Sequence, residues 1–420
     1  MTSQNFAEGG SALGGKKLST EPYKGTRDFF PRDQFVQNYI FNVWRRVAQK
    51  FGYLEYSASI LEETEIYRAK SGEEIVNEQT YSFTDRGGRD VTIRPEMTPT
   101  VARMVAQKRK ELVFPLRWFS IPNLFRYERP QRGRLREHWQ LNCDIFGIDS
   151  IEADVEIISL AYDIMKEFGA KDEDFEIRIN DRGAIMKGLR EKLPSMEQQR
   201  AYLKLEDKKN KISPEIYKEE RKKLFGGSFE VEFEDSNVAK ALLNSLSKRG
   251  IQNVVYDKSL VRGFDYYTGI VFEVYDKHPE NNRSLFGGGR YDDLVSIFGA
   301  EKVSGVGFGM GDVTIRDFLE TYSLLPTYQP AVELFICHLE NYLEAANKLA
   351  SDLRKQGLNV AVDLTDRKVS AQIKTADKES IPYIVVVGEE EVKSGQYKVK
   401  SLKDGKETKI DVSKIAALIK

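Results

Sequence analysis

Apolar residues recur every three or four positions along FVQNYIFNVWRRVAQKFGY. Phe35, Tyr39, Ile40, Val43, Trp44 and Val47 share one helical face, and Gly52 reads as the stop. The period then falls to two. In YSFTDRGGRDVTIRP, Tyr81, Phe83, Val91 and Ile93 alternate with polar residues around a GRD turn, which predicts a hairpin. MTPTVARMVAQKRKEL returns to helical spacing. RWFSIPNLFRYERP and HWQLNCDIFGID predict two strands joined by the basic loop QRGRLRE, and ADVEIISLAYDIMKEFG predicts an amphipathic helix. From Asp181 to Gly250 charge crowds in, Lys above all, as in LKLEDKKNKISPEIYKEERKKLFGG, and the pattern predicts an inserted helical subdomain. Strands resume at VVYDKSLVRGFDYYTGIVFEVYD. GGGRYDDLV and GVGFGMGDVTIRDFLE close the first domain, and TYSLLPTYQP reads as a linker. Beyond it, short apolar strands alternate with helices before a hairpin and a last helix, which predicts a separate, mostly parallel α/β unit.

Composition narrows the class. A chain of 420 residues needs more than one core. A formal net charge of −1 argues against blanket nucleic-acid binding and leaves room for a local basic surface. No apolar run reaches membrane-spanning length. The opening MTSQNFAEGGSALGGKKLST lacks an apolar segment and has the Gly and Ser content of a flexible tail. The two cysteines, Cys143 and Cys337, are far apart, so a disulfide-free cytoplasmic protein is expected. With three histidines, His138, His278 and His338, no His/Cys zinc site and no other protein-held metal is expected.

Four segments carry candidate chemistry. FRYERPQRGRLREHWQLNCDIFG places Arg126, Arg129, Arg132, Arg134 and Arg136 on one strand-loop-strand unit. Such a charge run is ordinarily just solvated. Here Arg126 falls between apolar residues on a strand, and Tyr127, His138 and Trp139 flank the loop. Arginines fixed in this way suit phosphates, which they bind bidentately. LVRGFDYYTGIVFEVY interrupts an apolar strand context with Arg262 and Asp265, and a buried charge needs a partner. RPEMTPT sets Glu96 at a strand end before a helix start, where helix capping is the plainer reading. GGGRYDDLV carries three consecutive glycines, which permit close backbone approach.

In this order the segments resemble histidyl-tRNA synthetase. KGTRDFFP is similar to the family's motif 1, FRYERPQRGRLREHWQLNCDIFG to motif 2 and GVGFGMGDVTI to motif 3. LVRGFDYYTGIVFE is similar to a peptide that sets this family apart from other class II synthetases. The resemblance implies an α+β fold: a class II antiparallel sheet flanked by helices, a helical insertion and a C-terminal α/β anticodon-binding domain. It implies a tail over 1–21, a catalytic domain over 22–325 with 181–250 inserted, and the anticodon-binding domain over 330–420. The activity implied is ATP-dependent ligation of histidine to the 3′ end of its tRNA through a histidyl-adenylate. The partners implied are histidine, ATP, Mg²⁺, tRNA at its acceptor end and anticodon, and a second copy of the chain.

By the same resemblance Arg126 and Arg262 hold the α-phosphate. Glu96, Met97, Thr98 and Gln140 hold histidine, and Asp144, Tyr266 and Tyr267 line the imidazole pocket. Arg134 and Arg290 join the ATP set. Two departures stand out. Most relatives carry Glu where this chain has Asp144. Motif 3 ordinarily ends on an arginine for the γ-phosphate, where this chain has Thr314. Arg316 is no substitute, since two residues along a helix is roughly a 200° rotation; Arg129, Arg134 and Arg290 are the candidates. The rival reading is a non-catalytic paralogue that regulates histidine biosynthesis.

Overall fold

The computed structural model describes residues 18–68, 79–209, 212–226, 235–261, 266–281 and 283–420. Most of the expected tail, and Arg262 and Asp265, lie outside these. The chain divides into two compact units between Leu325 and Pro326.

In the first unit, helix α1 (Pro31–Lys50) opens with Pro at its first turn, where a missing N–H costs nothing. Gly52, at φ +80°, ends it in the left-handed region that favours glycine. Its apolar face, with Ile40, Val43, Trp44 and Val47, is fully buried. Next come β1 (Leu54–Glu55), β2 (Leu61–Glu63), the short α2 (Glu65–Arg68) and a hairpin of β3 (Tyr81–Thr84) and β4 (Asp90–Ile93). Helix α3 (Thr98–Lys108) follows, then β5 (Leu116–Ser120), β6 (Asn123–Phe125) and β7 (Glu137–Phe146). Helix α4 (Glu152–Glu167) leads into β8 (Phe175–Asp181).

Four helices come next: α5 (Arg182–Lys192), α6 (Met196–Lys208), α7 (Pro214–Phe225) and α8 (Asn237–Lys248). They do not form one subdomain. Ile185, Leu189, Leu193, Tyr202 and Leu203 make a small core of α5 and α6. Ala239, Leu242 and Leu246 of α8 instead join the main core under the sheet. The unit finishes with β9 (Val254–Tyr256), β10 (Ile270–Asp276), β11 (Ser284–Arg290), β12 (Gly305–Gly311) and α9 (Asp312–Thr321).

Nine strands form one sheet in the order β1-β5-β7-β12-β11-β10-β8-β9, with β6 paired to the start of β7. Pairing is antiparallel through the centre, and only the outer pairs β1–β5 and β8–β9 are parallel. β2, β4 and β3 make a separate three-stranded sheet. Helices α1, α4, α8 and α9 cover one face of the large sheet.

The second unit carries a five-stranded sheet: β13 (Leu334–His338), β14 (Val360–Val362), β15 (Tyr383–Val387), β16 (Gln396–Ser401) and β17 (Glu407–Asp411). The first three are parallel, crossed by α10 (Leu343–Lys355) and α11 (Val369–Lys378), and the last two form an antiparallel hairpin. A short α12 (Glu389–Ser394), not apparent from the sequence pattern, precedes the hairpin, and α13 (Val412–Ile419) ends the chain. Among the described residues no helix is long and apolar enough to cross a membrane.

Candidate active site

The open face of the large sheet holds a cleft of about 870 Å³. Alternation along three central strands builds it. On β7, His138, Gln140, Asn142 and Asp144 share one face, while Leu141, Cys143 and Ile145 lie buried on the other. On β12, Val306, Phe308 and Met310 pack into the core, which leaves Gly307, Gly309 and Gly311 as a floor. Glycine is required there by space. A Cβ on Gly309 would overlap Gln140, and one on Gly307 would overlap Asp144. A Cβ on Gly289 of β11 would stand 2.9 Å from the Tyr267 ring. The glycines thus give their space to side chains of β7 and of the segment before β10.

Glu96, Thr98, Arg126, Gln140, Tyr266 and Tyr267 all line this cleft, together with Arg134 of the basic loop. The segment before α3 is strapped to β6: the Phe125 N–H donates to the Arg94 carbonyl at 3.1 Å, and Arg126 Nε donates to the Pro95 carbonyl at 2.9 Å. This strap sets Arg126 beside Glu96. The Tyr266 hydroxyl donates to Glu96 Oε2 at 3.2 Å. Gln140 Nε2 donates to Asn142 Oδ1 at 2.7 Å. His138 also lines the cleft, and burial together with the charges of Arg126 and Arg27 pushes its imidazole down to about 3. It is therefore neutral at physiological pH and adds no charge to the phosphate-binding arginines.

Several expected residues lie elsewhere. Met97 points away from its neighbours Glu96 and Thr98 and lines a second cavity, with Tyr56, Arg94 and Trp139. Trp139 packs edge-on against Phe29 at 5.3 Å, and Tyr127 lies under the Arg136 guanidinium at 3.9 Å. Arg136 is committed to the Tyr23 hydroxyl and the Glu128 carbonyl. Arg290, expected in the ATP set, does not line the cleft. Its guanidinium is buried against the Asp154 carboxylate, the Ile148 and Ser150 carbonyls and Ser304 Oγ, so its donors are spent on the core and not on a phosphate. Arg316 reaches Asp33 and Glu320, both at 2.9 Å, away from the cleft, as its helical rotation requires.

Asp144 lies behind the cleft wall. It accepts a hydrogen bond from the hydroxyl of Tyr291, and Tyr291 itself lines the cleft. The GGGRYDDLV segment contained Tyr291, but nothing in its spacing marked it. Burial pushes the Asp144 carboxyl up to about 7, against the opposing pull of the Tyr291 hydroxyl. Between about pH 4 and pH 7 the folded chain holds a proton that the unfolded chain has released, so stability falls as pH rises through that window. Asp144→Asn removes the titration. The variant is expected to gain thermal stability relative to the parent between about pH 5 and about pH 8. A stability difference that does not change with pH would contradict this.

A mixed sheet with an antiparallel centre, helices on one face and a charged cleft on the other is the catalytic fold of class II aminoacyl-tRNA synthetases. The histidyl-tRNA synthetase family matches residues 25–217 and 228–313, and the anticodon binding domain family matches residues 333–420. The chain belongs to the histidyl-tRNA synthetase family. It is 43% identical over 411 residues to a histidine–tRNA ligase of Leptospira biflexa, covering 92% of this chain and 94% of that protein. It is 36% identical to one of Thermoplasma volcanium, covering 93% and 96%. The crystal structure of histidyl-tRNA synthetase from Nostoc sp. PCC 7120 superimposes with a TM-score of 0.78 at 22% identity over 96% of this chain and 99% of that one, a likeness of fold.

Proposed function

We propose that this chain activates histidine with ATP and transfers it to the 3′ end of its tRNA. The observation that carries the reading is the convergence of Glu96, Thr98, Arg126, Gln140, Tyr266 and Tyr267 on one cleft over a glycine floor. A carboxylate oxygen of histidine attacks the α-phosphorus of ATP, the bond to the β-phosphate breaks, and pyrophosphate leaves with the electron pair. The tRNA 3′-terminal hydroxyl then displaces AMP. Negative charge builds on the α-phosphate oxygens, and Arg126 is placed to stabilise it more in the transition state than in the ground state. Arg262 takes the opposing position by resemblance. No covalent enzyme nucleophile is required, since alignment and charge stabilisation carry the step.

Glu96 is the partner for the substrate's ammonium group, with Thr98 and Gln140 beside it. Tyr266, Tyr267 and Tyr291 wall the side-chain pocket, and Asp144 acts on it through Tyr291. An imidazole offers a donor and an acceptor nitrogen, so a pocket of hydroxyls recognises it and rejects apolar side chains. Mg²⁺ bound to the phosphates would neutralise their charge. Glu128 and Glu273, which line the cleft, are the carboxylates that could add a ligand to an ion carried by the phosphates.

The test is aminoacylation of total tRNA with each amino acid in turn, alongside amino-acid-dependent ATP–pyrophosphate exchange. Histidine alone should support both. A complete lack of histidine-dependent exchange would favour the regulatory paralogue. The second unit is proposed to read the anticodon, with Lys368 at the start of α11 and Arg367 and Lys374 nearby. Removing 326–420 should raise KM for tRNA roughly tenfold or more, as the loss of several charge-assisted contacts implies. Histidine-dependent exchange should stay within about twofold, as expected if the first unit carries its own core. An unchanged KM for tRNA would rule out the anticodon role. A second copy of the chain is proposed as partner on the family resemblance, and the molecular mass in solution tests it.

A further inference from the structure

Thr314 occupies the place where a cationic side chain would be expected, and it is neutral. It lines the cleft on α9, with its hydroxyl donating to the Leu285 carbonyl of β11 at 2.7 Å. Two residues before Leu285, at the entry to β11, stands Arg283, which lines the same cleft. We propose that Arg283 holds the terminal phosphates of ATP in place of a cation on α9. This rests on the reading of the cleft as an adenylate-forming site.

Three features place the guanidinium for that task. Its Nη2 pairs with Asp317, one helical turn beyond Thr314, and Arg132 Nε approaches the same carboxylate at 3.6 Å. Its Nη1 donates to the Arg132 carbonyl at 2.8 Å. It also lies against Gly133, which sits at φ +76° and where a Cβ would be 2.8 Å from Arg283 Cζ. The basic loop is thus shaped to receive this arginine, and Asp317 fixes its plane. Arg283 Nε is buried with no hydrogen-bond partner. Nη1 and Nη2 each keep a second N–H beyond their bonds to the Arg132 carbonyl and Asp317, and a phosphate oxygen would take these donors. One carboxylate shared by Arg132 and Arg283 leaves one positive charge in excess, next to the Arg134–Glu128 pair on the same wall. A polyanion is the ligand that this excess suits.

A purely structural tie between loop and helix is the competing explanation, and it gives different results. Arg283→Ala should raise KM for ATP in histidine-dependent exchange roughly 10- to 100-fold, as the loss of charge-assisted hydrogen bonds implies. KM for histidine should stay within about threefold. By calorimetry, affinity for ATP should fall while affinity for AMP, which lacks the terminal phosphates, stays unchanged. Adding Thr314→Arg to Arg283→Ala should recover most of the ATP affinity by returning the cation from the helix side. Arg283→Gln carries the same comparison if the alanine variant melts early. Equal losses for AMP and ATP, no recovery on adding Thr314→Arg, or an unchanged affinity for ATP would each overturn the proposal. Absence of exchange in the parent enzyme would count against the synthetase reading instead, and the calorimetric comparison would still decide the role of Arg283.

Discussion

Arg126→Ala is expected to lower histidine-dependent ATP–pyrophosphate exchange by ~10²–10³-fold, the usual cost of losing one preorganised donor to developing charge. The expectation rests on where this arginine sits. It leaves β6 beside Glu96, and its Nε donates to the Pro95 carbonyl at 2.9 Å, which fixes the plane of the fork before ATP arrives. A preorganised donor needs no reorganisation in the transition state. The neighbouring His138 is neutral, so Arg126 is the charged group of this pair. The loss should fall mainly on kcat, because the charge that Arg126 meets is greatest in the transition state. Arg262→Ala should match it on the family resemblance. Exchange near the parent rate in a folded Arg126→Ala protein would remove Arg126 from the chemistry.

Asp312→Ala is expected to destabilise the first unit by ~3–5 kcal/mol, the range for breaking a buried ion pair from one side. Asp312 is fully buried where β12 turns into α9. Its carboxylate accepts from Arg27 Nη2 at 2.7 Å, Gln37 Nε2 at 2.8 Å and the Trp139 N–H at 2.9 Å. Those donors come from the KGTRDFFP segment, from α1 and from β7. One carboxylate therefore ties three segments to the start of α9, each at least 173 residues away from it in sequence. Removing it leaves the Arg27 charge and two donors without their acceptor. Urea denaturation followed by fluorescence would measure the effect, with Asp312→Asn as the isosteric comparison. A loss below about 1 kcal/mol would mean that water or a neighbour takes over the donors.

The parts of the site that were legible in the sequence are those fixed by local period. The face shared by Gln140 and Asp144 follows from strand alternation, and the outward turn of Arg316 follows from helical rotation. Arg290 and Trp139 could not be placed in this way. Both sit on or beside cleft-forming strands, but period gives only the side of the strand. Whether the guanidinium of Arg290 meets a ligand or the Asp154 carboxylate depends on where α4 packs.

The sequence alone determined the α1 face and the segments that mark the family. Each of these is written within a few neighbouring residues, because helix and strand periods and turn preferences act over that range. The tertiary structure decided the rest. It put Tyr291 between Asp144 and the cleft, joined α8 to the sheet's core, gathered Arg27, Gln37 and Trp139 on Asp312, and brought Arg283 from β11 to the loop that holds Arg132 and Arg134. Those contacts join residues up to 285 positions apart. No local period can encode such a pairing, since it exists only once the core has closed and fixed which strand lies beside which.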